Sequence, residues 1–170
     1  MNQQDWANLI EFNTHVLRQA EQAIDLCVKT GIHFPIHVGP HLRHVIEHYE
    51  ALIRGLGDVQ IDYDARERNR VFEREPQAAR ARIGLLIDEI RSMWRRPQDQ
   101  AVRVAFEGGP HGEFQFSAHS TLSRELLFLP HHAIHHFALI RSFLASLGVS
   151  LDAGFGLAPA TIKHANRVAA

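Results

Sequence analysis

The chain has little cysteine, no long apolar run and almost no net charge, and each of these shortages narrows its function. A single cysteine, Cys27, excludes an internal disulfide and a zinc site built from clustered thiolates. No run of about 18 apolar residues is present, so the sequence predicts no membrane-spanning helix. Eighteen basic residues against 19 acidic ones leave a formal charge of −1. This balance disfavours nucleic acid and membrane surfaces as partners, because both usually select a strongly basic face.

Length and composition are typical of a single globular domain. A chain of 170 residues suits one sizeable core, and we expect one domain over residues 1–170. The first residues, MNQQDWANLIEF, lack the basic start and apolar core of a signal peptide, which predicts a cytoplasmic location. The near-zero net charge permits self-association, including a homodimer.

The apolar residues repeat with a helical period over four long segments. These segments are residues 5–30, 40–56, 76–95 and 121–148. Between the third and fourth, the period changes to two over residues 102–106 and 114–116, on either side of a GGPHG turn, which predicts a β-hairpin. The connection over residues 57–75 shows no clean periodicity, and the tail after 148 predicts at most one short helical turn. The predicted fold class is therefore all-α, a four-helix bundle with a small β-hairpin between helices three and four.

Histidine is what the chain has in abundance, with 13 in all and most of them in two clusters. HLRHVIEH runs from His41 to His48 in predicted helix two, and HHAIHH covers residues 131–136 in predicted helix four. Histidine is the commonest metal ligand, and a spacing of three or four places side chains on one helix face. Two such helices facing each other would supply a three-histidine metal site.

A helical wheel separates the histidines of predicted helix four. His132 and His136 lie within about 80° of the centre of the buried face, while His131 and His135 lie near the opposite pole. Two adjacent inward imidazoles need partners once they leave water, and a shared cation satisfies both. Pro130 lies directly before the pair and is either a tolerated irregularity or a kink that redirects His132.

The histidines of predicted helix two are harder to separate. His41, His44 and His48 all lie off the polar arc of the helix, so periodicity leaves the three as alternatives. His44 shares its strip with Ala51 and Gly55, small residues that would let a neighbouring helix come close. Neither histidine-bearing helix contains Glu-x-x-His, which argues against a diiron carboxylate bundle.

Three segments carry a resemblance to a known family: VGPHLRHVIEHYEALI, FLPHHAIHHFALIR and FGLAPATIKH. Over nearly its whole length the chain resembles the DinB/YfiT-like superfamily of bacterial four-helix metal-binding proteins. The resemblance implies that one histidine of helix two, His44 by alignment on Gly39, binds a divalent metal together with His132 and His136. His48 is the substitute if the register shifts by one turn.

The expected site suits zinc or nickel, with iron as a further candidate, because three imidazoles leave an open position on a borderline ion. His48, one turn from His44, is the candidate general base or supporting group behind the ligands, and a hydrogen-bonded rim residue is the alternative. The expected function is a metal-dependent enzyme acting on a small molecule, either a hydrolase or a thiol-dependent S-transferase or isomerase. The resemblance implies a low-molecular-weight thiol as cosubstrate. The alternative is a non-catalytic, stress-associated protein whose ion is structural, and segment 62–68 has no assigned role.

Overall fold

The computed structural model describes residues 1–97 and 100–168, and these residues form seven α-helices and a three-stranded sheet. The long helices are α1 (Gln3–Thr30), α3 (Gly39–Asp58), α5 (Pro76–Ser92) and α6 (Leu122–Ser146). The shorter helices are α2 (Phe34–His37), α4 (Arg70–Arg74) and α7 (Pro159–Val168). A 3-10 turn, Met93–Arg95, extends α5. The strands are β1 (Gln60–Asp62), β2 (Ala101–Gly108) and β3 (Phe114–Thr121).

The four long helices bury their apolar stripes against one another. Helices α1 and α3 each pack against both α5 and α6. The fully buried side chains at their centre include Trp6, Leu17, Tyr49, Leu86 and Phe137. Each helix keeps a polar face, and within the described ranges none is both long and apolar enough to cross a membrane.

The expected all-α class is wrong, because the segment after α3 contributes a strand. Strand β1 pairs in parallel with β2, and β2 pairs antiparallel with β3, giving a mixed sheet in the order β1-β2-β3. Ile61 lies opposite Val104 in the parallel pair, and both side chains are buried in the core. A strand of three residues is too short to produce a period-two pattern. The fold is therefore a mixed one of seven helices and a sheet over the described residues, not a simple four-helix bundle.

The tail also differs from its expectation, since residues Pro159–Val168 form the ten-residue helix α7. None of its side chains is fully buried, and Ile162 is half-buried. This helix covers a cavity of about 600 Å³ that is also lined by Phe12, Val16 and Ile134. A helix of ten residues with few large apolar side chains is too short to show a clear helical period in the sequence.

Pro130 lies inside α6 without ending the helix, and Asn13 of α1 explains how this is tolerated. Proline has no N–H, so the carbonyl of Leu126, four residues earlier, lacks its usual helical donor. Asn13 Nδ2 donates to that carbonyl at 2.8 Å and to the carbonyl of Leu9 at 2.8 Å. The Tyr49 hydroxyl in turn donates to Asn13 Oδ1 at 3.0 Å. One buried amide therefore joins α1, α3 and α6 directly before the histidine pair.

The α3–α5 connection, residues 59–75, lies tightly against α3 near both of its ends. A methyl group at Gly55 would come within 2.5 Å of the carbonyl oxygen of Gln60, and one at Gly39 within 2.0 Å of that of Glu73. The strip around Gly55 therefore faces strand β1, not another helix as the sequence suggested. Both close approaches require the absence of a side chain on α3.

Candidate metal centre

His44 of α3 and the pair His132 and His136 of α6 lie close together. One ligating atom from each lies within 4.8 Å of the other two, and Nε2 of His44 is 2.8 Å from Nε2 of His132. A tetrahedral ion with metal–nitrogen bonds of about 2.0–2.1 Å needs ligand nitrogens roughly 3.4 Å apart. The three rings therefore fit a divalent ion after small side-chain movements, and they are a possible metal site.

The four histidines of the HHAIHH cluster divide as the helical wheel predicts. His131 and His135 are exposed, while His132 and His136 are half-buried and face α3. The wheel succeeds because a single regular helix sets all four directions.

All three histidines of α3 lie on the side that faces α6, so the sequence alone had no means of choosing among them. Nδ1 of His41 is 3.0 Å from Nδ1 of His136, and His44 lies between both α6 rings. The His48 ring centroid is 4.5 Å from that of His132, although His48 is not in the three-residue group. Packing of α3 on α6 thus brings five imidazoles together.

His48 is buried, with 7% of its surface exposed, and its tautomer is set by the backbone. Its Nδ1 lies 2.8 Å from the carbonyl oxygen of His44. A carbonyl oxygen only accepts, so Nδ1 carries the proton and Nε2 keeps a lone pair. The His48 ring therefore has one nitrogen that donates to the α3 backbone and one that can accept a proton.

Arg66 reaches the site from the α3–α5 connection, in the segment to which the sequence assigned no role. Its Nη1 lies 2.5 Å from Nδ1 of His44. The chain reverses just before it, where Asp62 Oδ1 accepts from the backbone N–H groups of Asp64 and Ala65 at 2.9 Å each. An aspartate at the start of a turn is a local sequence signal for that turn. The contact between Arg66 and His44, which are 22 residues apart, depends instead on tertiary packing.

Glu47 is buried by the same connection, although it belongs to the polar arc of α3. Only 2% of its surface is exposed, and its Oε1 accepts from the backbone N–H of Asn69 at 2.7 Å. Arg43, one turn earlier, donates to Glu73 at 2.5 Å. These contacts attach α4 and the residues before it to α3.

Glu125 lies near the site but is fully buried and fully engaged with other groups. It accepts from the hydroxyl of Tyr63 at 2.9 Å, from Arg124 Nη1 at 2.9 Å and from the hydroxyl of Ser120. The Tyr63 ring stacks on His48, with centroids 5.5 Å apart. Glu125 therefore orients the tyrosine rather than facing the three histidines.

A cavity of about 560 Å³ lies beside the histidines, between the sheet and α6. Tyr63 and Phe128 form part of its wall. These rings contact the cluster on their other side, where Phe128 stacks on His132 with centroids 5.4 Å apart. The two aromatic rings thus separate the cavity from the imidazoles.

The clustered imidazoles are held in their neutral form. Burial, together with nearby positive charge, lowers the pKa of His48, His132 and His136 to about 4 each, and that of His44 to about 2. The Arg66 guanidinium is among the charges that lower all four pKa values. A neutral imidazole is the form that binds a metal.

Folding stability should decrease as the pH falls from about 6.5 towards 4. The unfolded histidines protonate near their ordinary pKa of 6.5, whereas three of the folded ones resist protonation until about 4. The unfolded state therefore binds more protons in this range, and stability that is complete above 6.5 is lost below it. Thermal unfolding in EDTA from pH 7.5 to 4 measures the slope, which His132→Gln should reduce. His111→Gln, at an exposed hairpin residue, should leave it unchanged, and equal slopes in all three proteins would contradict the expectation.

The comparisons with known proteins give limited similarity. No family model and no solved structure matches the chain. A curated relative from Rhizopus delemar, named FK506-binding protein 5, is 33% identical over 104 residues, which is 61% of this chain and 27% of the relative. The chain therefore spans about a quarter of that relative's length. The resemblance to the DinB/YfiT-like superfamily is wrong, since no family model supports it and the fold is mixed, so the metal site rests on the geometry of its residues.

Proposed function

We propose that this protein is a metal-dependent hydrolase that acts on a small molecule and holds a divalent ion through His44, His132 and His136. The observation that carries the proposal is the convergence of three half-buried imidazoles from two helices, with His44 and His132 separated by 88 residues in the chain. Desolvated imidazoles need partners, and one shared cation satisfies all three. Zinc or nickel fits this donor set best, and iron is a further candidate.

The residues around the three ligands support hydrolysis. A divalent zinc ion in a three-histidine set polarises a substrate oxygen and lowers the pKa of water to about 7. His48 offers an Nε2 lone pair, fixed by its bond to the His44 carbonyl, that accepts a proton from the attacking water. The rings of Tyr63 and Phe128, which stack on His48 and His132, limit water access to the imidazoles.

Two related alternatives remain proposals. The same three imidazoles would stabilise a bound thiolate, which would make a low-molecular-weight thiol a cosubstrate. In the non-catalytic alternative, the ion only ties α3 to α6. Removal of the ion with a chelator separates the cases, because a structural ion takes the fold with it whereas a catalytic one takes only the activity.

Protein incubated with zinc should retain about one ion per chain, measured by mass spectrometry of the metal after gel filtration. Hydrolysis of 4-nitrophenyl acetate, as a general probe, should disappear with chelation and return with zinc. His48→Gln should keep the ion and lower the rate by about 10²–10⁴-fold, the usual contribution of a general base. Failure to take up either zinc or nickel would overturn the proposal.

A further inference from the structure

Arg66 has hydrogen-bonding capacity that the described residues do not use. Its side chain is half-buried, and its Nε is buried without a hydrogen-bond partner among residues 1–97 and 100–168. No carboxylate of the described chain lies within 4.0 Å of its guanidinium. A buried guanidinium donor without an acceptor is costly, so it marks a place where an acceptor would bind favourably.

The contact between Arg66 and His44 depends on the tautomer of the imidazole. A guanidinium only donates, so Nδ1 of His44 accepts and the ring proton is on Nε2, facing Nε2 of His132 at 2.8 Å. Coordination through Nε2 moves that proton to Nδ1, which then faces the arginine as a second donor. The Nη1 of Arg66 then also lacks an acceptor, beside the ion.

The charges around Arg66 favour a single anionic group. Arg66 is the one arginine or lysine that lowers the pKa of four of the five clustered imidazoles, and the imidazoles themselves are neutral. Glu47 is a buried carboxylate that interacts electrostatically with Arg66, but its Oε1 accepts from Asn69 and its Oε2 lies beside Nε of Arg43 at 4.0 Å. An ion and an arginine together would give a local positive charge, and no carboxylate of the described residues forms an ion pair with Arg66.

We propose that Arg66 is the substrate-binding residue of this site and that the substrate carries a carboxylate. This inference rests on the proposed function. The Nε of Arg66, which is buried without an acceptor, and the adjacent Nη2 form a planar fork that matches the two oxygens of a carboxylate. The half-buried ring of Phe128, which stacks on His132, offers a partly exposed aromatic surface for the rest of such a molecule. A phosphate has three acceptor oxygens and up to two negative charges, whereas Arg66 offers one fork and one charge, so the carboxylate is the better match.

Calorimetric titration of the zinc-loaded protein with benzoate tests this assignment. Benzoate should bind, whereas benzamide, its neutral counterpart, should not. Arg66→Met should weaken benzoate binding by about tenfold or more, and Arg66→Lys by less, because charge is kept and the fork is lost. Arg68→Met removes an exposed charge two residues away and should change the affinity by less than about twofold.

The possible outcomes separate this inference from the proposed function. Zinc content is measured first in every variant, and Arg66→Met should retain the ion. Zinc uptake with equal benzoate affinity in the parent and Arg66→Met overturns the role of Arg66 alone. Inorganic phosphate binding more tightly than benzoate, with the same dependence on Arg66, overturns the substrate class. A protein that takes up no zinc or nickel overturns the proposed function and this inference together.

Discussion

Replacing His136 with alanine should abolish binding of the divalent ion, whereas replacing its neighbour His135 should not. His136 has a ligating nitrogen within the group shared with His44 and His132, and its removal leaves two ligands. Mutation of residues that hydrogen-bond to metal ligands typically lowers the metal affinity by about 10- to 100-fold, so loss of a ligand itself should lower it by more than about 100-fold. Competition with a zinc-binding dye measures the affinity of each variant.

His135→Ala is a closely matched control for that experiment. His135 is the preceding residue of the same helix, is exposed, and has its ring centroid 5.6 Å from that of His136. The His135→Ala substitution removes the same kind of side chain but leaves the three-histidine group intact. Equal loss of affinity in the two variants would mean that zinc binds to surface histidines, and the three-histidine site would have to be abandoned.

Replacing Asn13 with leucine should cost about 2–5 kcal/mol of folding stability, because several buried groups lose their partners at about 1–3 kcal/mol each. The carbonyl of Leu126 loses its donor, and the hydroxyl of Tyr49, which is fully buried, loses its acceptor. Urea denaturation followed by circular dichroism measures the loss. Asn8→Leu, at an exposed residue of the same helix, should stay within about 0.5 kcal/mol of the parent.

The same Asn13→Leu replacement made in a Pro130→Ala variant shows whether Pro130 is the reason for the loss of folding stability. In Pro130→Ala the new N–H can donate to the Leu126 carbonyl, so Asn13 is no longer its essential partner from another helix. Asn13→Leu should then cost about 1–3 kcal/mol less than in the parent. An identical cost in both backgrounds would mean that the amide stabilises the core for another reason.

Elements long enough to show a repeating apolar pattern could be predicted from the sequence, and short elements could not. The four long helices and the hairpin each have enough residues to show a period, whereas β1 has three residues and α2 has four. Strand β1 forms because β2 offers it a partner, and that pairing changes the fold class. Similarity of histidine-rich segments to a family gave no information about this sheet, which is one reason the resemblance misled.

The same distinction applies to the candidate site. His132 and His136 could be separated from His131 and His135 because all four belong to one regular helix. Selecting His44 as the α3 ligand requires knowledge of how α3 packs on α6, and the hydrophobic periodicity of one helix carries no information about that packing. Arg66 reaches His44 only through the path of the α3–α5 connection, so its position could not be predicted from local pattern at all.

The close approaches at Gly39 and Gly55 mean that Arg66 is carried by a preorganised arch, not by a loop that must become ordered when a ligand arrives. Backbone contacts near both ends restrict the arch, so capture of a ligand would require rotation of one side chain and little loss of main-chain entropy. Any side chain at either glycine would lift an end of the arch. Such a change would disturb recognition from a distance, without altering a group that touches the ligand.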